Sequence, residues 1–465
     1  MIFPTATFTI FFLIVMPLSW LAMPRVRLWR SFIICASLVF YGWWDWHFVF
    51  LLIGCTLWTH FWAVRIWRAE RRSRRRALLT VALIGQLGTL GYFKYFDFFV
   101  NSSHNVAHAA GIDLPDWTRT IVLPVGISFY TFMAISYVVD VYRHELRPVG
   151  LLRFSAYLTF FPHLVAGPIV RGSELLPQMK TPRDPRRIDS SRAFFLIGTG
   201  LFKKVVIANY LATHIVDPVF AVPGAHSSPE ILIAVYAYAV QIYADFSGYT
   251  DMAIGLALLL GFVFPQNFNS PYAAVSVQDF WRRWHMTLSR WLRDYLYIPL
   301  GGSRKGKIRT AFNLMLTMLL GGLWHGAAWT FIVWGLVHGA FLGGHALLRK
   351  AGITPRSVAV NRVITFALVC AAFVIFRSPG LGTAGDILSS MAGFHGLDPT
   401  VRLHALLPVK FALLVGLLLA FVNLAPNTWQ IRIRPRIWHG AVVGVAAGLA
   451  IMTISQPHPF IYFQF

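Results

Sequence analysis

The chain is 465 residues long, 57% hydrophobic, with a mean hydropathy of +0.60. Apolar runs recur from end to end, which excludes a globular domain on a single anchor and predicts an all-α polytopic integral membrane protein. The 41 Lys and Arg against 18 Asp and Glu give a formal charge of +23, but the basic residues are scattered over short loops between apolar segments, which fits the positive-inside rule and excludes nucleic acid as a partner.

Residues 1–21 are apolar without a basic leading region or a small-residue cleavage site, so they read as a first membrane helix and not as a removed signal peptide. Arg25, Arg27 and Arg30 follow it, and Arg65, Arg68, Arg71, Arg72, Arg74, Arg75 and Arg76 follow the third helix. Both loops are therefore expected in the cytoplasm, with the N-terminus outside. Between them residues 41–47 (YGWWDWH) form an aromatic turn suited to the opposite interface. A fourth helix is expected at 77–100, an outside loop at 101–116 and a fifth helix at 121–142. Residues 154–170 are apolar but flanked on both sides by cytoplasmic-type basic residues and interrupted by Pro162, Gly167 and Pro168, which predicts a re-entrant segment. An ordinary Pro-kinked crossing is the alternative.

A helix from about residue 193 carries Lys203 and Lys204, and 221–230 reads as an outside loop. The run 231–264 holds Asp245 and Asp251 in the stretch DFSGYTD, where two carboxylates cannot face lipid; a broken or long tilted element is expected. Val277, Phe280, Trp281, Trp284, Leu288, Trp291, Leu292 and Tyr295 recur at three- and four-residue steps opposite Arg282, Arg283, Arg290 and Arg293. That spacing predicts one amphipathic helix in the interface plane, with its cations toward the cytoplasm. The arginines either anchor it to anionic lipid or also bind the phosphates of an acyl donor. His285 lies on the margin of the apolar stripe.

Residues 309–350 are about 40 in number and nearly all apolar, enough at ~1.5 Å per residue for two crossings joined by a tight turn. Gly321, Gly322 and Gly326 flank Leu323-Trp324-His325, so the backbone there can bend or admit a close neighbour. An ionisable ring at bilayer depth usually faces a cavity or a partner, which makes His325 the first functional candidate and its neighbour Trp324 a supporting residue. The alternative is a buried histidine satisfied by a carbonyl. Helices are expected at 363–376, 410–424 and 438–454, with Arg432, Arg434 and Arg436 inside and the tail 455–465 outside. The total is about eleven crossings plus re-entrant and interfacial pieces, without the internal repeat many transporters carry. Cys35, Cys55 and Cys370 lie in apolar runs without metal-site or disulfide spacing, so no metal is expected.

Several stretches resemble the membrane-bound O-acyltransferases, in particular the bacterial branch of the alginate O-acetyltransferase membrane subunit. They are residues 161–171 (FPHLVAGPIVR), 245–255 (DFSGYTDMAIG), 264–272 (FPQNFNSPY), 279–302 (DFWRRWHMTLSRWLRDYLYIPLGG), 321–329 (GGLWHGAAW) and 459–465 (PFIYFQF). The resemblance implies a single membrane domain over 1–465, with weak signature in 1–120 and an acyltransferase core in 121–465. It puts the family's essential histidine on His325 and its second histidine on His285. It implies a multi-pass protein of the bacterial inner membrane that transfers acetyl toward an exported or envelope polysaccharide; the charge distribution puts both termini outside. A periplasmic acetyltransferase partner completes delivery in such systems. A D-alanyl transferase of teichoic acid modification shares part of the pattern.

Acyl transfer from a thioester to an alcohol needs a base for the hydroxyl proton, a donor for the developing oxyanion and exclusion of water. An apolar hairpin disfavours a charged imidazole, so His325 is expected to be the base. His285 is assigned to donor positioning or oxyanion stabilisation. Asp245 and Asp251 are expected to orient a histidine or to bond the backbone of a broken helix. No bound cofactor is expected: acetyl-CoA or an acylated carrier protein serves as donor substrate on the cytoplasmic side. A longer-acyl transferase and a proton-coupled transporter are the competing readings.

Overall fold

The computed structural model describes residues 1–112, 115, 119, 121–352, 357–394, 407–431, 440–441, 444–445 and 448–449. Arg432, Arg434, Arg436 and the tail 455–465 lie outside these residues, as does most of the helix expected at 438–454. Every regular element among the described residues is helical. The Cα positions group into two compact units, 1–193 with 253–265 and 194–252 with 266–465.

The first unit holds α1 (Ala6–Ala22), α2 (Val26–Gly42), α3 (His47–Arg68), α4 (Arg72–Ala109), α5 (Ile127–Tyr142) and α6 (Leu151–Leu158). Thr5 caps α1 by accepting the Phe8 N–H at 3.2 Å. Buried polar bonds join neighbours: Trp29 Nε1 donates to Ser19 Oγ at 2.9 Å, and Gln86 Nε2 donates to Thr59 Oγ1 at 2.7 Å. The loop expected at 101–116 begins as helix, because α4 continues to Ala109 and stops only where Gly111 takes a φ of 74°. Conversely α5 starts later than predicted, after Pro124 and a left-handed Gly126.

Residues 154–170 are not one kinked helix. The eight-residue α6 spans only ~12 Å, well short of a ~30 Å hydrocarbon core. A single turn, Phe161–Leu164, follows, and the backbone then runs non-helical to Val170. Phe154, Phe160, Phe161 and His163 are fully buried. Tyr157 donates its hydroxyl to the Val170 carbonyl at 3.0 Å, and the Phe161 N–H donates to Ser37 Oγ at 3.1 Å. Broken backbone is thus covered by protein, which is the condition a hydrocarbon environment imposes.

The second unit is built on α7 (Ser190–Ala221) and α8 (Ser228–Leu259), each of which also lends residues to the first. Two π turns, Lys203–Ala208 and Ala212–Val216, interrupt α7. The carboxylates do not break α8: it runs unbroken through residues 245–251 because lysines on α7 neutralise them. Then follow α9 (Val277–Arg283), α10 (Met286–Leu292), α11 (Lys307–His325), α12 (Trp329–Lys350), α13 (Val358–Arg377), α14 (Leu381–Met391) and α15 (Leu407–Leu424). Across both units six helices are long and apolar enough to cross a membrane and three shorter ones are apolar, among the described residues, against about eleven crossings expected. Of the hairpin's two arms, α12 meets that criterion and α11 does not, since Lys307, Arg309, Thr310, Asn313 and Thr317 make it less apolar.

Candidate active site

His325 is the last residue of α11, and the turn that follows it enters α12 directly. The two arms touch backbone to backbone: a Cβ on Gly322 would lie 2.2 Å from the Phe331 carbonyl oxygen and 3.1 Å from the Gly335 Cα. Close approach, and not a bend, is what this glycine provides, since α11 continues through it. The contact brings α12 side chains onto the histidine. Its ring packs edge-on against Trp324 at 5.0 Å, Trp334 at 5.1 Å and Phe376 of α13 at 5.4 Å between centroids. His325 keeps 5% of its surface exposed, whereas His285 and His338 keep none.

The predicted single amphipathic helix is in fact two, because the backbone reverses at His285. Trp284 is extended and His285 is left-handed, with φ 40° and ψ 55°. Non-glycine residues rarely adopt that conformation. Asn267 holds the reversal: its carbonyl accepts the Met286 N–H at 2.9 Å, and its Oδ1 accepts the Thr287 N–H at 3.1 Å and faces His285 Nδ1 at 3.2 Å. The apolar stripe is buried in protein and not laid into lipid, with Phe280 and Leu288 at 1% exposure. His285 meets Phe246 of α8 at 4.7 Å, edge to face, and Trp324 at 6.1 Å. Trp324 therefore touches both predicted histidines. His285 lies outside the membrane-length helices, and burial pushes its imidazole down to about 3, which keeps it neutral.

A third histidine, His338 on α12, was not singled out from sequence. Trp281 Nε1 donates to His338 Nδ1 at 3.3 Å, and the His338 ring sits 4.7 Å from Trp334, the same indole that packs on His325. The signal was available, since His338 is an ionisable residue inside an apolar helix, the criterion that selected His325.

The candidate donor-binding arginines are dispersed in environment. Arg283 Nε pairs with Asp279 at 3.0 Å and Arg293 Nε with Asp294 at 2.7 Å, while Arg282 is exposed and Arg290 half-buried. Asp245 and Asp251 each face a lysine of α7. Lys204 Nζ lies 2.6 Å from Asp245, and Lys203 Nζ lies 2.5 Å from Asp251, which also accepts from Thr428 at 3.0 Å. These paired charges inside apolar helices were not anticipated. What the DFSGYTD stretch offers His285 is the ring of Phe246.

The model of the MBOAT, membrane-bound O-acyltransferase family, matches residues 3–376. The chain belongs to the membrane-bound O-acyltransferase family. The match includes the first hundred residues, where the motif reading found little signature. As an O-acyltransferase of this family it is a multi-pass membrane enzyme that moves an acyl group to a hydroxyl. Among its relatives, a probable alginate O-acetylase of Pseudomonas putida is 37% identical, with both chains covered end to end. A peptidoglycan O-acetyltransferase of Helicobacter pylori is 37% identical over 79% of this chain and 75% of its own. A teichoic acid D-alanyltransferase of Bacillus subtilis is 28% identical over 54% of this chain and 68% of its own.

Proposed function

We propose that this O-acyltransferase takes an acetyl group from a cytoplasmic thioester, acetyl-CoA or an acylated carrier protein, and passes it across the bacterial inner membrane to hydroxyls of an exported or cell-envelope polysaccharide, directly or through a periplasmic acetyltransferase. Thioesters are activated, so the protein has to supply a proton acceptor, a dry site and positioning. His325 is the base that takes the hydroxyl proton as the alcohol oxygen attacks the thioester carbonyl; the thiolate leaves and is protonated in turn. The observation that carries this reading is the enclosure of His325 by Trp324, Trp334 and Phe376, which leaves the residue only 5% exposed and so keeps bulk water off its ring. The relatives named as alginate and peptidoglycan O-acetyltransferases support acetyl as the group and a glycan as acceptor. Arg282, exposed and close in sequence to His285, is the first candidate for the donor's phosphates, with Arg290; Arg283 and Arg293 would have to exchange a carboxylate for a phosphate.

A D-alanyl group is the second reading, favoured by the teichoic acid D-alanyltransferase relative. Inverted membrane vesicles loaded with an envelope oligosaccharide separate the two. Radiolabelled acetyl-CoA added outside should leave acetyl ester on the lumenal glycan. Label transferred only from a D-alanylated carrier protein would overturn the acetyl reading, and hydrolysis without lumenal ester would overturn transfer across the membrane.

A further inference from the structure

Asn267 lies fully buried in the loop between α8 and α9, and four of its neighbours' atoms converge on it. Its side-chain orientation is fixed by chemistry. The atom 3.1 Å from the Thr287 backbone nitrogen has to be an acceptor, because a peptide N–H only donates; that atom is Oδ1, and the Thr287 hydroxyl reaches it at 2.9 Å. The same oxygen stands 3.2 Å from His285 Nδ1. An amide oxygen has no proton to give, so this approach is attractive only when Nδ1 carries the hydrogen. Meanwhile the Asn267 carbonyl accepts the Met286 N–H at 2.9 Å. One residue thus ties down the main chain on the far side of His285 and the ring itself, across a left-handed backbone that residues other than glycine seldom adopt.

We infer that Asn267 is a positioning residue that locks His285 in the Nδ1–H tautomer, so that its Nε2 carries a lone pair and no proton. The inference rests on the reading that His285 serves acyl transfer, but the tautomer itself does not. The consequence for the reaction is a reassignment. An Nε2 lone pair accepts a hydrogen bond or a proton from a hydroxyl, and it cannot donate to an oxyanion. The oxyanion role expected for His285 from sequence therefore falls to another donor.

The tautomer is read directly by solid-state NMR of the full chain in lipid with ¹³C,¹⁵N-labelled histidine, the His285 signals being those lost in His285→Gln. Wild-type protein at neutral pH without substrate should give the neutral Nδ1–H pattern; an Nε2–H pattern overturns the proposal whether or not the protein transfers acetyl. Asn267→Ala should shift His285 toward Nε2–H and lower kcat for acyl transfer more than tenfold with KM little changed. Asn267→Asp keeps an acceptor oxygen and adds negative charge, so it should retain turnover with the acid limb of the kcat profile moved to higher pH. A folded Asn267→Ala variant with the wild-type tautomer and wild-type kcat would overturn the assignment, and so would an Asn267→Asp profile identical to wild type.

Discussion

Trp281 has a buried indole N–H whose acceptor is His338 Nδ1, so the ring that steadies Trp334 against His325 is itself held by a hydrogen bond. Removing that acceptor strands a buried donor, which costs about 1–3 kcal/mol. His338→Phe is thus expected to lower the melting temperature of the purified protein, while His338→Gln, which can still accept, should recover part of the loss. Equal melting temperatures for His338→Phe and wild type would contradict this support. At this scale the sequence was informative where chemistry is local. His325 stood out because flanking glycines and a turn surround it within a few positions. Asn267 did not, although FPQNFNSPY was noted, because its purpose is to bond Met286 and Thr287, about twenty positions further on. His338 was passed over for the same reason: its donor, Trp281, lies 57 positions away.

Between α7 and α8 the contact is closer than side chains would allow. A Cβ on Gly200 would lie 2.5 Å from the Gly248 carbonyl oxygen, and one on Gly248 would lie 2.7 Å from that of Gly200. This proximity lets the neighbouring lysines reach the carboxylates one turn either side. The Lys204–Asp245 pair is almost fully buried, at 3% and 1% side-chain exposure. Deleting one member leaves an uncompensated charge, at a cost of about 3–5 kcal/mol, whereas replacing both with apolar residues is often neutral. Lys204→Met should accordingly reduce thermal stability strongly and Lys204→Met/Asp245→Leu should restore much of it; a single variant as stable as wild type would refute the pairing. The hairpin makes a parallel case. Gly322→Ala places a methyl within 2.2 Å of the Phe331 carbonyl and is expected to lower both stability and turnover, read by unfolding and by acyl transfer. Periodicity identified the apolar stripe of 277–295 but implied one helix, since the reversal at His285 depends on Asn267 and not on any residue within the stripe.

For the whole molecule, the distribution of arginines predicts which loops face the cytoplasm. Arg72 and Arg187 are exposed in the structure. With the exposed Cys35 replaced by serine, cysteines introduced at either position should react with an impermeant maleimide in inverted vesicles and not in intact cells. Labelling from the periplasm would reverse the orientation on which a cytoplasmic donor depends. The family and its helical membrane character were legible from hydropathy and motifs, but the number of crossings was not. Counting apolar runs takes no account of where helices begin and end or of their mean hydropathy, and by those measures α6 is too short and α11 too polar to be counted with the others.

One imidazole, enclosed by three aromatic rings, is asked to accept the proton that turns an alcohol into a nucleophile. Turnover of labelled acetyl-CoA by the purified protein in lipid, wild type against His325→Gln, tests that most directly. With folding verified by an unchanged melting transition, the substitution should lower acetyl transfer by ~10²–10⁴-fold, the usual worth of general-base assistance. A folded His325→Gln protein that transfers acetyl at the wild-type rate would contradict it.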